Sequence, residues 1–338
     1  MKKLTKIVGG ATAALLMVSA AQASTLEDVQ DRDSLRCGVS DGLPGFSVTD
    51  SDGNWVGIDV DTCKAVAAAV LGDAEKVDYV PLTAVERFTA LQSGEVDMLS
   101  RNTTWTTTRD GSLGINFTGT NYYDGQGFLI NTDLGINSAL ELDGAAVCVA
   151  SGTTTELNLA DYFEAEGMSF EPVLYDTSDQ TVAGFEAGRC DVLTSDTSQL
   201  AALRIQLSDP EGAMILPEII SKEPLGPAVR QGDDQWFNIV KWSLFLQINA
   251  EEYGVSSSNA DEMLESDDPN VSRILGTSGD LGDLLGLRDD WGYQIVTQVG
   301  NYAEMFERNV GPDTALELER GTNALWTDGG ILYAPPIR

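Results

Sequence analysis

Gly94-Glu95-Val96-Asp97-Met98-Leu99-Ser100 returns later in the chain as Gly188-Arg189-Cys190-Asp191-Val192-Leu193-Thr194. Each copy follows a helical pattern, Val85 to Ser93 in the first and Val182 to Ala187 in the second. A glycine at the helix exit supplies a left-handed cap, because it has no Cβ to clash there. The short apolar run after it fits a strand buried on both faces of a parallel sheet. Each copy then ends in hydroxyl residues and a charge, Arg109 in the first and Asp196 in the second.

The segments that open each half also match. Leu35-Arg36-Cys37-Gly38-Val39-Ser40 is followed by Gly42, and Val147-Cys148-Val149-Ala150-Ser151 by Gly152. A helical pattern comes after both, Asp59 to Val70 and Glu156 to Glu164. The repeat predicts two α/β lobes of similar wiring. In such sheets ligands bind beyond the carboxyl ends of the strands. Ser100–Arg109, Gly152–Thr155 and Thr194–Asp196 fall at those ends, so the lobes would close on one ligand. Beyond the repeat, Gln235 to Tyr253 carries Trp236, Ile239, Val240, Leu244, Leu246 and Ile248 at helical spacing, which reads as core packing. Ser256–Gly286 predicts short helices and loops, Tyr293–Arg308 one further helix, and Ala334–Arg338 an extended tail.

Arg109 closes a run of Ser100, Asn102, Thr103, Thr104, Thr106, Thr107 and Thr108. One fixed cation beside many neutral donors suits a small carboxylate. The chain contains no histidine. That excludes His-based acid–base catalysis, Ser-His and Cys-His nucleophile pairs and His-ligated metals. No metal-ligand spacing and no nucleophile–base pair stands out, so no metal or cofactor is expected. The pattern predicts capture of a small molecule, not chemistry on it.

Lys2, Lys3 and Lys6, the apolar stretch Ile7 to Ala20 and then Ala21-Gln22-Ala23 predict a secretory signal peptide cleaved after Ala23. The apolar stretch falls short of the ~20 residues that span a bilayer. Formal charge is −33, and −36 once the three lysines of residues 1–23 are removed. Such a chain repels nucleic acid and anionic lipid, so neither is expected as a partner. The acid excess is spread along the chain and reads as a means of solubility. Four cysteines in an exported chain read as two disulfides, for which three pairings are possible. Cys37 and Cys63 fall in one lobe, Cys148 and Cys190 in the other. Pairing Cys37–Cys63 and Cys148–Cys190 leaves the lobes free to move, and it is the pairing predicted.

Gly57-Ile58-Asp59-Val60-Asp61-Thr62-Cys63-Lys64-Ala65-Val66 resembles the GxDVDxxKAV segment of polar-amino-acid binding proteins of ABC importers, and Ala90–Asp97 continues it. Ser100–Trp105, Asn121–Phe128, Ser151–Asn158, Glu223–Val229 and Tyr333–Arg338 resemble the general L-amino-acid periplasmic binding proteins in particular. The resemblance spans essentially the whole mature chain. It implies a type II periplasmic binding protein fold, two α/β lobes joined by a two-segment hinge. The crossings are expected near Gln126–Ile130 and Lys222–Gly226. Lobe I is then residues 24–126 plus 226–338, and lobe II residues 127–225.

The resemblance also implies roles. Arg109 would pair with a ligand α-carboxylate, Thr104 would donate its hydroxyl to the same group, and Asn102 would give a backbone contact. Thr154 and Thr155 match positions that meet the ligand, while Thr153 and Glu156 also fit a helix capping box. Asp196 matches an acid that accepts the α-ammonium, or it caps the following helix. Trp105 lies near the ligand or packs in the core. Leu43, with Phe46 nearby, and Ala84 stand at positions where the family often has an aromatic clamp. Arg87 stands where acidic-amino-acid binders place a cation, or it is a surface helix residue. The implied function is binding of a broad range of L-amino acids, with glutamate, glutamine and aspartate favoured. A monomeric periplasmic protein would deliver them to an inner-membrane permease. Two other readings are a dehydratase-like enzyme on the same fold, using Asp41 or Asp59, and a ligand-presenting partner of a chemoreceptor.

Overall fold

A computed structural model describes residues 24–338; the expected leader and its cleavage site lie outside them. The repeat is realised as two five-stranded sheets. The first runs, edge to edge, Val77–Leu82, Leu35–Ser40, Met98–Leu99, Ala228–Arg230 and Ile115–Phe117. The second runs Phe170–Tyr175, Ala145–Ala150, Val192–Asp196, Gln126–Asn131 and Ala213–Ile215. In each row the fourth strand is antiparallel to both neighbours, and it is the strand that has just crossed from the other half of the molecule. The glycines at the two repeat units, Gly94 and Gly188, have φ of +78° and +64°, as a left-handed helix exit requires.

The helix Ile58–Leu71 shows why the first sheet is covered so closely. Its run Ala67-Ala68-Ala69 is buried, and these small side chains let it pack between the sheet and the helices Asp234–Glu252 and Trp291–Gln298. Trp236, Ile239, Val240 and Leu246 fill the same core, as their spacing predicts. The chain after the second sheet thus returns to the first.

The two crossings are Tyr122–Asp124 and Glu223–Leu225, paired antiparallel as a ribbon. The expected first crossing, Gln126–Ile130, is instead a strand of the second sheet. Phe128, Leu129 and Ile130 are wholly buried there, because that strand lies inside a sheet covered on both faces. The expected second crossing, Lys222–Gly226, contains the ribbon strand.

One helix over Tyr293–Arg308 is also corrected. The structure has Trp291–Gln298 and Tyr302–Asn309, broken at Gly300 with φ +94°. Asn301 accepts from the Glu304 backbone N–H, and the Glu304 carboxylate accepts from that of Asn301. This reciprocal cap starts a new helix, and Asn-x-x-Glu was its legible sign. Ser256–Gly286 carries the short helices Ala260–Met263, Pro269–Ile274 and Leu281–Leu285. The cysteines pair as Cys37–Cys63 and Cys148–Cys190, with Cα separations of 6.2 and 5.6 Å, each inside one half. No helix among the described residues is long and apolar enough to cross a membrane.

Candidate functional site

The carboxyl ends of the two sheets face each other across a polar cleft. Of the residues nominated from the sequence, Ala84, Arg87, Asn102, Thr104, Thr154, Thr155 and Asp196 border it.

The first wall is shaped by a buried acid. Asp59, in the first turn of Ile58–Leu71, accepts from the Asn102 backbone N–H at 2.7 Å and from Ser100 Oγ at 3.0 Å. Burial pushes its carboxyl up to about 6 despite those hydrogen bonds. The contacts hold Asn102 at φ +31°, in the left-handed region that asparagine tolerates better than most residues. Asn102 then reaches across the cleft, donating from Nδ2 to Gln199 Oε1 at 3.2 Å. Thr104 Oγ1 meets Thr154 Oγ1 at 3.2 Å, a second contact between the walls. Thr154 Oγ1 also donates to Glu223 Oε2 at 3.0 Å, tying this wall to the crossing ribbon.

The second wall begins at a helix start. Thr153 Oγ1 accepts from the Glu156 N–H at 3.2 Å, as the capping reading predicts. The Glu156 carboxylate accepts from Gly152 N–H and not from Thr153, so the box is only half formed. Thr154 and Thr155 lie in the first turn of Thr154–Ala165, where free N–H groups and the helix dipole favour an anion.

Asp196 ends the strand Val192–Asp196 and precedes the helix Thr197–Arg204, yet its side chain makes no cap. Asp124 serves that helix start instead, accepting from Thr197 Oγ1 at 2.6 Å, from Ser198 N at 3.2 Å and from Ser198 Oγ. The capping reading of Asp196 is therefore excluded. Its Oδ1 is buried with no hydrogen-bond partner. Burial pushes its carboxyl well up, and the nearby Asp124 and Glu223 charges push the same way; Arg87 and Arg109 oppose them. A buried, underused acceptor of this kind is costly without a partner.

Arg87 opens the helix Arg87–Ser93 and is 2 % exposed, so it is no surface arginine. Its Nη1 donates to Thr103 Oγ1 at 3.4 Å, and its Nε is buried unpaired. Burial, then the neighbouring Arg109 and Arg101 charges, hold its pKa well below the usual value. Phe88 offsets part of that repulsion: the Arg87 and Arg109 guanidinium carbons lie 4.9 and 5.1 Å from its ring centroid.

Arg109 stands one layer behind the wall. Its Nη1 donates to the Thr104 carbonyl at 2.8 Å, and its backbone N–H to Thr106 Oγ1 at 3.2 Å. Burial lowers its pKa to about 10, while Glu223 and Asp196 act to raise it. Leu43 and Phe46 do not border the cleft. Both are 1 % exposed in an apolar cluster, and the Phe46 ring meets Tyr122 edge-on at 5.4 Å. The loop folds back on itself through paired Leu43 and Ser47 backbone bonds, which turns these side chains inward. Phe46→Ala is accordingly expected to cost about 3–5 kcal/mol of stability. Thermal unfolding reads that loss, and the order of ligand preference should stay unchanged. Trp105 is 41 % exposed and stacks on Phe117, outside the cleft.

Arg101, Asp176, Ser178 and Gln199 also border the cleft and were not singled out as site residues. Arg101 donates to the Leu82 carbonyl and to Asn102 Oδ1, and lies 3.6 Å from Asp41. Ser178 and Gln199 belong to helix starts in the second half, where nothing in their spacing marks them. Among the described residues no group of His, Cys, Asp and Glu is arranged to hold a metal.

Residues 35–254 match the model of bacterial extracellular solute-binding proteins, family 3. The chain is 55 % identical to the general L-amino acid-binding periplasmic protein AapJ of Rhizobium johnstonii, over 99 % of both chains. It is 51 % identical to the glutamate/glutamine/aspartate/asparagine-binding protein BztA of Rhodobacter capsulatus, over 100 % of both. A solved periplasmic binding protein of an ABC transporter from Brucella ovis, with glutathione bound, shares 52 % identity and superposes with a TM-score of 0.92. That match covers 94 % of this chain and 100 % of the other. The architecture is the type II periplasmic binding fold. The family match and relatives of equal length carry one conclusion: the chain belongs to the bacterial extracellular solute-binding proteins, family 3.

Proposed function

We propose that this protein is exported to the periplasm, captures L-amino acids by closing two lobes, and delivers them to the permease of an ATP-driven importer. Asp196 carries the reading: a buried carboxylate with an unpartnered oxygen, at the mouth of one sheet, opposite arginines at the mouth of the other. An α-amino acid is complementary to that arrangement: its ammonium goes to Asp196 and its α-carboxylate to Thr104 and to Arg109, which stands directly behind Thr104. Residues 24–121 plus 226–338 form one lobe, and residues 126–221 the other. The segments between them, residues 122–125 and 222–225, join the lobes. Ligand contacts from the second lobe favour the closed form, and they do so only by their differential strength in the two states.

Arg87 supports a preference for a second carboxylate, hence glutamate and aspartate, with glutamine tolerated. One relative binds glutamate, glutamine, aspartate and asparagine, in line with that preference, and another is a general L-amino acid binder, in line with a broad range. Glutathione, bound in the Brucella ovis relative, also carries an ammonium and two carboxylates. Against a dehydratase, neither Asp41 nor Asp59 borders the cleft. Asp41 sits beside Arg101, and Asp59 is engaged by Ser100 and Asn102.

A thermal-shift screen of the twenty L-amino acids and glutathione tests the reading. A ligand that binds only the folded state raises the unfolding midpoint, by about 2.7 kcal/mol of stability at a hundredfold excess over Kd. The expected order is glutamate and aspartate first, glutamine and asparagine next. No shift with any of them would refute the proposal.

A further inference from the structure

Residues 255–338 lie beyond the stretch that matches the family model, and one residue of this extension grips the crossing ribbon. Asn323 is 3 % exposed. Its Oδ1 accepts from the Tyr123 backbone N–H at 2.7 Å, and its Nδ2 donates to the Tyr123 carbonyl at 3.0 Å. Tyr123 is the central residue of the first crossing strand and stands opposite Pro224. Proline has no N–H to offer. The Asn323 amide therefore acts on the outer edge of the ribbon as a further strand would.

The two bonds reach the peptide planes on either side of the Tyr123 Cα. Holding both fixes φ and ψ of that residue, the only soft torsions its backbone has. Asn323 is itself held. Arg320 Nε donates to the Asn323 carbonyl at 3.0 Å, and Arg320 Nη2 pairs with Glu251 at 2.8 Å. The Arg320 guanidinium also lies over the Tyr302 and Phe306 rings, 5.3 and 5.1 Å from their centroids. Tyr302 donates to the Asn121 carbonyl at 2.8 Å, just before the crossing.

The opposite edge of the ribbon is bound to the ligand loop. Trp105 N–H donates to the Pro224 carbonyl at 2.8 Å, and Gly226 N–H to the Thr103 carbonyl at 3.0 Å. The row is thus the Thr103–Trp105 loop, Glu223–Leu225, Tyr122–Asp124 and Asn323. A contact made by the extension is two strands away from Thr104.

We propose that Asn323 is a positioning residue for lobe closure: the C-terminal extension braces the ribbon and keeps Tyr123 from acting as a pivot. The inference rests on the lobe-closure reading above. It is tested on the mature protein carrying spin labels at Asp52→Cys and Glu164→Cys, exposed sites on the two lobes. The inter-lobe distance distribution is measured with and without L-glutamate, in the parent and in Asn323→Ala and Asn323→Asp. Hydrogen exchange at the Tyr123 amide and glutamate binding kinetics are followed in parallel.

In Asn323→Ala the distribution without glutamate should broaden and the Tyr123 amide should exchange faster. Glutamate should bind about threefold to tenfold more weakly, through faster dissociation, as the loss of one or two ordinary hydrogen bonds implies. Asn323→Asp keeps the acceptor for the Tyr123 N–H and loses the donor, so it should fall between. If the parent closes on glutamate and both variants keep its distribution and affinity, the brace is refuted while closure stands. If the parent shows no change of distance with bound glutamate, closure itself fails, and the brace with it.

Discussion

Arg109→Ala is expected to lose L-glutamate binding while the protein still folds. Removing one partner of a buried, charge-assisted pair costs about 2–5 kcal/mol, which is roughly thirtyfold to several thousandfold in Kd. The upper part of that range is expected here. The guanidinium is buried, anchored on the Thr104 carbonyl and backed by Phe88. It is held in place before the ligand arrives, so little ordering cost is left for binding. The fold should tolerate the change. Arg109 is one of the like charges crowding Arg87, and its loss relieves that repulsion. Calorimetry with glutamate, alongside a far-UV spectrum, reads both halves of the expectation. Arg87→Ala is the control. Arg87 borders the cleft directly and Arg109 does not. An unchanged affinity in Arg109→Ala with abolished binding of every amino acid in Arg87→Ala would transfer the α-carboxylate to Arg87. Selective loss of glutamate and aspartate in Arg87→Ala, with glutamine retained, fits Arg87 as the partner of the side-chain carboxylate and Arg109 as that of the α-carboxylate.

The strands, the helix exits and the doubling of the sheet were legible because each is a local pattern. Apolar runs of strand length follow glycine caps twice, and two similar units of that kind build two similar sheets. The first crossing was misplaced by a few residues for a related reason. Tyr122–Asp124 is short and mixed in polarity, whereas Gln126–Asn131 is a conspicuous run, and only the pairing with Glu223–Leu225 tells a ribbon from a sheet strand. At the cleft, Thr104, Thr154, Thr155 and Asp196 were found, whereas Arg101 and Asp176, which lie by strand ends just as they do, were not. Arg101 sits within the nominated run, but its guanidinium turns to Leu82 and Asn102, which no spacing shows. Leu43 and Phe46 were placed by resemblance to an aromatic clamp. Their apolar side chains are better served by the Tyr122 and Phe306 cluster than by a polar cleft. Asn323 and Tyr123 are 200 positions apart, and an asparagine in a polar tail carries no mark of such a partner.

Asp196→Asn should separate amino acids from their deaminated counterparts. The carboxylate is buried, its Oδ1 is unpartnered, and its proposed role is to accept the ligand's ammonium. The amide keeps an oxygen and the shape but loses the charge, and it turns two donors toward an ammonium that needs acceptors. Glutamate affinity is expected to fall by about a hundredfold or more, the scale of losing one side of a buried charged contact. 2-Oxoglutarate has both carboxylates and no ammonium, so its weak binding should hold or improve. Equal losses for the two would remove the ammonium role. The pH dependence gives a second reading. Burial, with Asp124 and Glu223 adding to it and Arg87 and Arg109 opposing, makes Asp196 hold its proton to higher pH than an ordinary carboxyl. Below that raised pKa the group is neutral and offers an ammonium no charge, so an amino acid must displace a proton to bind. Glutamate affinity should therefore rise with pH through the raised pKa and then level off. Without ligand the sign reverses for stability. A folded pKa above the unfolded one favours the fold at low pH, and that favour is lost as pH rises through the raised value. The midpoint shift caused by glutamate should thus grow with pH in the parent protein. In Asp196→Asn the growth should shrink to what Asp59, whose carboxyl burial pushes up to about 6 and which holds the Asn102 loop, still contributes.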